Sequence, residues 1–396
     1  GKTLHNTYKS CPGVSGSSAF YHFEKRANGG LFVKMSQENA LHLEIDVVRA
    51  TCAVLCVPRA KAPDRVVAGA WAKAIVGRIA GVLFDEDFIT RLDGDGCRHL
   101  VAFSCGTVYD TTLHLPRPCV EADHVSLHVG YPHPVEALRG IHAAVGEWVL
   151  DVFSGIKAWE AENPGVDVYP PAIVQELSAI YDFPQFTWHK AMHGSFTSPD
   201  AEIGETVGGH QVSLYRVTRL PAAAMARHTE KFTADRGADG NNGKGVLWYA
   251  LKNFCGFYAQ DIMISLVTSD PPAPGKPCPE LVALKGCRLT CTPESDKSYV
   301  IKSIWIKNLA DPATVYTAHT LYANTFAFEI PSLWSIFDNS SMKISTVDGG
   351  VRRRAVGVHW PIAHRAAPQG AFQRVAHAES LESSAFYTTD RKAAFL

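Results

Sequence analysis

"GADGNNGKGVLWYAL", Gly237 to Leu251, sets a run of glycines and asparagines directly against a stretch with helical apolar spacing. Val246, Ala250, Leu251, Phe254 and Tyr258 fall on one helical face. Such a loop has a chemical logic. Glycines let backbone N–H groups converge on an anion, a helix start adds the positive end of its dipole, and a lysine reaches the outer phosphates. Gly240, Gly243 and Lys244 supply these parts, with Asp239, Asn241, Asn242, Gly245 and Val246 completing the candidate cradle. The general pattern is G-x-x-x-x-G-K-S/T. Here its first position is Ala238, beside Gly237, and its last is Gly245, which has no hydroxyl to offer Mg²⁺. The plainer alternative is a Gly/Asn-rich surface turn before a helix. The strand leading in, "EKFTA" (230–234), is less apolar than a buried parallel strand should be.

Downstream residues add the other parts that phosphoryl transfer needs. An acid at a strand end would hold Mg²⁺ and polarise water. Glu294 follows the β-branched run "RLTCT". Asn339 ends a second apolar strand and suits a γ-phosphate sensor. Arg352, Arg353 and Arg354 follow "DGGV" and could neutralise transferring charge. Each has a bland reading as a turn carboxylate, a turn amide or a solvated basic face. Their order along the chain is the argument for taking them together.

The chain has 396 residues, 46% apolar and 19% charged, which allows two or three domains with sizeable cores. Net charge is −1, so any grip on nucleic acid must be local. Between Gly349 and Ala378 there are five Arg and no Asp or Glu, a segment able to contact phosphates or to form a subunit interface. No apolar run is long enough for a membrane span, and no secretory pattern opens the chain. The ten Cys lack zinc-site spacing and read as free thiols of an intracellular, reducing compartment.

Local patterns predict strands at 41–48 and across 89–116, a helix over 65–84, and the best amphipathic helix over 135–160. "ENPGVDVYPP" (162–171) reads as a loop that could mark a boundary, "VSLYRVTRL" (212–220) as a strand, and the tail from Ala376 as less ordered.

In motif order the chain resembles the superfamily-three helicases of the poxvirus and phage primase-helicase type. "GNNGKG" is similar to that family's G-x-N-G-K-S/T loop, "FCGFYAQDI" to its "LGDYA"-like segment, and "LVALKGCRLTCTPE" to its approach to an acid. "LADPATVYTAHTLYANTFAF" looks like the block before the sensor strand, "FDN" like the sensor itself, and "DGGVRRRAVGVHW" like the arginine segment. Upstream, Phe88 to His133 is similar to the helicase-associated region. The resemblance runs from Phe88 to Pro361.

It implies an α/β fold: a P-loop ATPase domain with an AAA+-like parallel sheet, preceded by a smaller α+β helicase-associated domain. The implied layout is an N-terminal segment at 1–75, the associated domain at 76–205, the ATPase domain at 206–375 and a tail at 376–396. The implied roles are β- and γ-phosphate contact for Lys244, the metal-linked acid for Glu294, the sensor for Asn339, and an arginine finger acting on a neighbouring subunit for Arg353 or Arg354. ATP and Mg²⁺ are the implied cofactors, and the implied partners are single-stranded DNA and further copies in a homo-oligomeric, hexameric ring, with no membrane. The implied activity is that of a DNA helicase motor in replication of a large DNA virus, phage or related mobile element. Four departures point instead to a degenerate ring subunit that binds nucleotide without unwinding. Gly245 lacks the metal hydroxyl, Pro293 replaces one acid of a pair, His319 stands at an Arg position, and Cys105 stands at an Asn position.

Overall fold

The computed structural model describes residues 8–12, 18–35, 85, 87–197, 207–227, 230–237, 240–273, 276–293, 299–320, 325–339, 342–370, 372–376 and 379–396. The predicted strand at 41–48 and helix at 65–84 lie outside them, as do Asp239 and Glu294. The chain divides into two compact units. One comprises Gly1–Leu127, Pro272–Lys285 and Val315–Phe328, and the other His128–Pro271, Gly286–Thr314 and Glu329–Leu396.

The first unit is built on two antiparallel three-stranded sheets, Tyr8–Pro12 with Ser18–Arg26 and Gly29–Lys34, and Leu100–Ala102 with Thr107–Asp110 and Leu115–Pro118. The second is the hairpin series expected from short apolar runs between Gly and Asp turns. Leu31, Leu100, Val108, Cys119 and Val125 form its core. Gly29 and Gly106 are both required there: a Cβ at Gly29 would lie 2.3 Å from the Gly106 carbonyl.

The second unit opens with helical segments Val135–Ile141 and Glu147–Glu162, joined through a π-helical turn at His142–Gly146. Helices Pro171–Tyr181 and Thr187–Gly194 follow, so the 162–171 loop lies within this unit. Helix α1 (Val207–Ala224) occupies the stretch read as a strand. Its buried residues His210, Ser213, Arg216, Leu220 and Ala223 recur every three to four positions, a helical period that the β-branched "VSLYRVT" obscures.

A five-stranded parallel sheet follows: β1 (Phe232–Gly237), then helix α2 (Lys244–Cys255), β2 (Ala259–Asp261), β3 (Leu289–Thr292), β4 (Leu333–Asp338), the short helix α3 (Gly349–Arg354) and β5 (Ala355–Trp360). Their spatial order is β5-β1-β4-β3-β2. A parallel pair, β6 (Ala363–Arg365) and β7 (Gln373–Val375), comes next, and helix α4 (Thr389–Phe395) is last. From β1 the chain runs to the far edge at β2, then returns through β3 and β4 and passes β1 to reach β5. The direction reverses beside β1, and the carboxyl end of such a strand is where open parallel sheets bind ligands.

β1 is an interior strand despite its polar look. Phe232 packs on Trp334 of β4, with ring centroids 5.7 Å apart, and the Thr233 and Ser335 hydroxyls bond across the strands at 2.8 Å. Asp235, fully buried, pairs with Arg216 of α1 and accepts from the Trp360 indole of β5 at 2.8 Å. A carboxylate is tolerable in this core because a guanidinium and an indole N–H replace its water. The segment beyond Ala376 is packed rather than loose from Glu379 onward. Phe395 stacks on Phe254 of α2 at 4.4 Å, and Arg391 pairs with Glu379 at 2.8 Å.

Candidate functional site

Between β1 and α2 the described residues are Gly240 to Gly243. Gly243, the residue before α2, takes φ +94°, and Asn241 takes φ +62°, a left-handed conformation that asparagine tolerates better than most side chains. No side chain caps α2. Helix geometry leaves the N–H groups of its first turn without intrahelical acceptors, pointing out of the helix start. Gly237 has a role of its own at the end of β1. A Cβ there would lie 1.7 Å from the Asn242 amide nitrogen and 2.9 Å from the Lys244 ammonium. The missing side chain lets Asn242 and Lys244 lie over the strand end.

Lys244 opens α2 and is 3% exposed. Its ammonium donates to the Asn242 side-chain oxygen at 3.1 Å and to the Asn339 side-chain oxygen. Asn339 follows β4, the neighbour of β1, with Asp338 opposite Arg236 in the register. The residues read as phosphate lysine and sensor, 95 positions apart in sequence, thus meet at the carboxyl edge of the sheet. Asp338, buried on the same strand end, accepts from the Met342 N–H at 2.8 Å and shapes the turn after β4.

The arginine segment lies at the other edge. Arg353 and Arg354 end α3, immediately before β5, whose first residue pairs with Phe232 at the start of β1. The length of β1 separates them from the loop, about 16 Å at strand rise. Arg353 is 59% exposed and pairs with Glu230 at 2.6 Å. Arg354 is buried between Glu230, at 3.4 Å, and Asp311, at 3.6 Å. "DGG" is a helix start, in which Asp348 accepts from the Val351 N–H at 3.0 Å and holds Lys307 at 2.5 Å. Within one chain these arginines do not join Lys244.

Other residues do. A cavity of about 600 Å³ adjoins the loop at Asn241, Gly243 and Val246. Trp188, Met192, Leu247 and Trp360 give it apolar walls, with Ser195, His364, Arg374 and Glu379 among the polar groups at its margin. The β6 backbone is fastened to the loop, the His364 N–H donating to the Asn241 carbonyl at 2.8 Å. The Ser195 hydroxyl donates to the Ala191 carbonyl at 3.0 Å and stands 3.4 Å from the His364 ring. Arg374 reaches Thr197. Sequence reading did not single out these cavity walls, because they come from a helix before the loop, from α2, from the end of β5 and from segments beyond it. The one available signal was the acid-free stretch from Gly349 to Ala378, which contains Arg365 and Arg374.

The site's fit to a magnesium nucleotide can be tested on its own atoms. A buried ammonium, an uncapped helix start and glycines with open space suit a phosphate tail: a Cβ at Gly240 or Gly245 would meet nothing within 4 Å. The cavity beside Gly243 has room for a nucleoside. For the metal the described residues offer less. They contain no cluster of three or more His, Cys, Asp or Glu able to hold an ion, and Glu294 lies outside them.

Among the described residues no helix is long and apolar enough to cross a membrane, and Cys97, Cys105, Cys119, Cys255, Cys278, Cys287 and Cys291 are free thiols. No family model matches the chain, and no curated protein matches it. Among solved structures, it is similar to the NrS-1 C-terminal region, with 11% identity over 59% of this chain and 46% of that one and a TM-score of 0.33. It is also similar to JCV helicase, with 9% identity over 57% of this chain and 56% of that one and a TM-score of 0.29. The chain therefore spans about half the length of each of these structures.

Proposed function

We propose that the second unit is a P-loop, AAA+-like nucleotide-binding domain, and that the protein is an ATP-dependent DNA helicase motor of the superfamily-three type. The observation that carries this reading is the meeting of Lys244 and Asn339 at adjacent strand ends, over a glycine loop that opens a helix. In that reading Lys244 and the first-turn N–H groups of α2 hold the β- and γ-phosphates, and Asn339 senses the γ-phosphate through the contact it makes with Lys244. Bound Mg²⁺ would neutralise charge developing on the phosphates, with Glu294 as its protein acid. The cavity walled by Trp188 and Trp360 receives the base. In that reading Arg353, exposed at the opposite sheet edge, is the finger that acts on a neighbouring copy, whereas Arg354 braces α3. A homo-oligomeric ring, single-stranded DNA as the track, and work in viral, phage or mobile-element replication complete the proposal.

A second reading, a ring subunit that binds nucleotide without unwinding, is favoured by Gly245 and Pro293. Magnesium-dependent ATP turnover, with and without single-stranded DNA, separates the two. A working motor turns over, is stimulated by DNA, and loses turnover in both Lys244→Ala and Asn339→Ala. Binding without turnover selects the second reading. Absence of both in the parent protein refutes each.

A further inference from the structure

One wall of the cavity is held from inside the sheet. Trp360 stands opposite Gly237 in the register of β5 on β1, and Asp235 is its diagonal neighbour on the same face. Gly237 brings no side chain to that face, and the Trp360 indole N–H donates to the Asp235 carboxylate at 2.8 Å. Another edge of the same ring meets the loop, with Cζ3 3.7 Å from where a Cβ on Gly243 would lie. One buried ring therefore joins the interior of β1 to the residue before α2. Phe196 packs against it, with ring centroids 4.7 Å apart. The ring has a single polar atom, a donor only, and Asp235 is its acceptor.

The carboxylate that holds the ring is expensive to bury. Asp235 is fully buried, and Arg216 of α1, buried as well, balances its charge. Burial holds the Arg216 guanidinium down to about 10 from an ordinary value of 12.5. Arg216 also donates to the Thr233 hydroxyl at 3.4 Å, and Thr233 bonds Ser335 of β4 at 2.8 Å. A buried ion pair adds little net stability to a core, and apolar side chains of similar volume often do as well or better. Apolar side chains cannot accept an indole N–H. That bond is what ties the ion pair to the candidate site.

We propose that Asp235, balanced by Arg216, is a positioning residue for the nucleoside end of the site and acts through Trp360, fixing the rotation of the indole that walls the cavity beside Gly243. This rests on the reading of the cavity as the place of the base. Asp235 lies behind the wall rather than in it. Without this acceptor the buried N–H is left unpaired, and the ring turns away from its place to find another partner.

The test is calorimetric binding of ADP and ATP to the full chain, beside thermal melting. Arg216→Met combined with Asp235→Leu exchanges the ion pair for apolar side chains and takes the acceptor from the indole. Melting should stay within a few degrees of the parent, while ADP and ATP weaken together by about fivefold to fiftyfold. Trp360→Phe removes the same bond from its other end and keeps the ion pair. Its loss should not add to that of the paired substitution when the two are combined. Trp360→Tyr, whose hydroxyl can donate to Asp235, should recover part of the affinity that Trp360→Phe loses. ADP affinity within about twofold of the parent in the paired variant would overturn the proposal. So would losses that add in full. If the paired variant does not fold, equal binding by Trp360→Tyr and Trp360→Phe overturns it. Lys244→Ala, which should weaken ATP more than ADP, reports on the phosphate loop separately. A parent protein that binds neither nucleotide refutes the nucleotide reading, and the inference with it.

Discussion

Gly245→Ser asks whether the loop is built for a metal triphosphate. Gly245 is the second residue of α2, exposed, with no atom within 4 Å of where its Cβ would be. The substitution is therefore sterically free, and two effects follow. Serine is a better helix residue than glycine by about 0.5 kcal/mol, which in a domain of this size raises the melting temperature by about 1–2 °C. Separately, a hydroxyl at this position can take the place of one water on Mg²⁺. An ordered water costs up to about 2 kcal/mol of immobilisation, so its release strengthens metal-dependent binding by up to about thirtyfold. Gly245→Ala isolates the first effect, since alanine stabilises the helix by about 1 kcal/mol and brings no oxygen. The assay is ATP binding and turnover titrated with Mg²⁺, beside thermal melting. Gly245→Ser should lower the half-saturating Mg²⁺ concentration and Gly245→Ala should not. If both variants melt higher and neither changes the Mg²⁺ dependence, the start of α2 does not face a metal, and the proposed cradle is wrong.

Gly237→Ala should displace Asn242 and Lys244 from the end of β1, costing about 1–3 kcal/mol of stability as an overpacked site. Nucleotide affinity should fall about as far as in Lys244→Ala, and preserved ATP binding would contradict the crowding seen at Gly237. Acid should act through two buried histidines. Burial holds the His189 imidazole down to about 4 and His210 to about 3, from an ordinary value of 6.5. The unfolded chain therefore binds more protons below about pH 6.5, so the stabilising contribution is complete above that pH and is lost as pH falls towards the folded values. Denaturant melts between pH 6.5 and 4.5 should show stability falling by up to about 1.4 kcal/mol per pH unit for each histidine, and His189→Phe should flatten that slope by one such share. An unchanged slope would mean that His189 is hydrated.

The Gly-Lys loop was legible because its chemistry is local: glycine, asparagine and lysine within five positions, then helical spacing. The strand end that meets it was legible too, since β4 is a buried apolar run with Asn339 at its exit. Three things were not. The edge of the sheet that carries Arg353 and Arg354, which motif order gave as fingers for a neighbouring subunit, is not written in that order; the register of β5 against β1 puts them at the amino edge. "VSLYRVTRL" read as a strand because Val212, Tyr215, Val217 and Thr218 favour strands, while the burial seen in the helix includes Arg216, packed against Asp235. The cavity was invisible because its walls, Trp188, Leu247 and Trp360, are joined only by the fold.

The strand order has a consequence during synthesis. β1 has no neighbour in the sheet until β4 is made, and Thr233 waits for Ser335, 102 residues later. Asp235 waits longer still for its indole partner, 125 residues on. At about 5–20 residues per second, this interior strand waits with both edges bare for several seconds or more. The loop is made early and becomes a site late, when β4 and β5 close on either side of β1. A growing chain of this protein should acquire the ability to hold a ligand in one late step rather than by degrees.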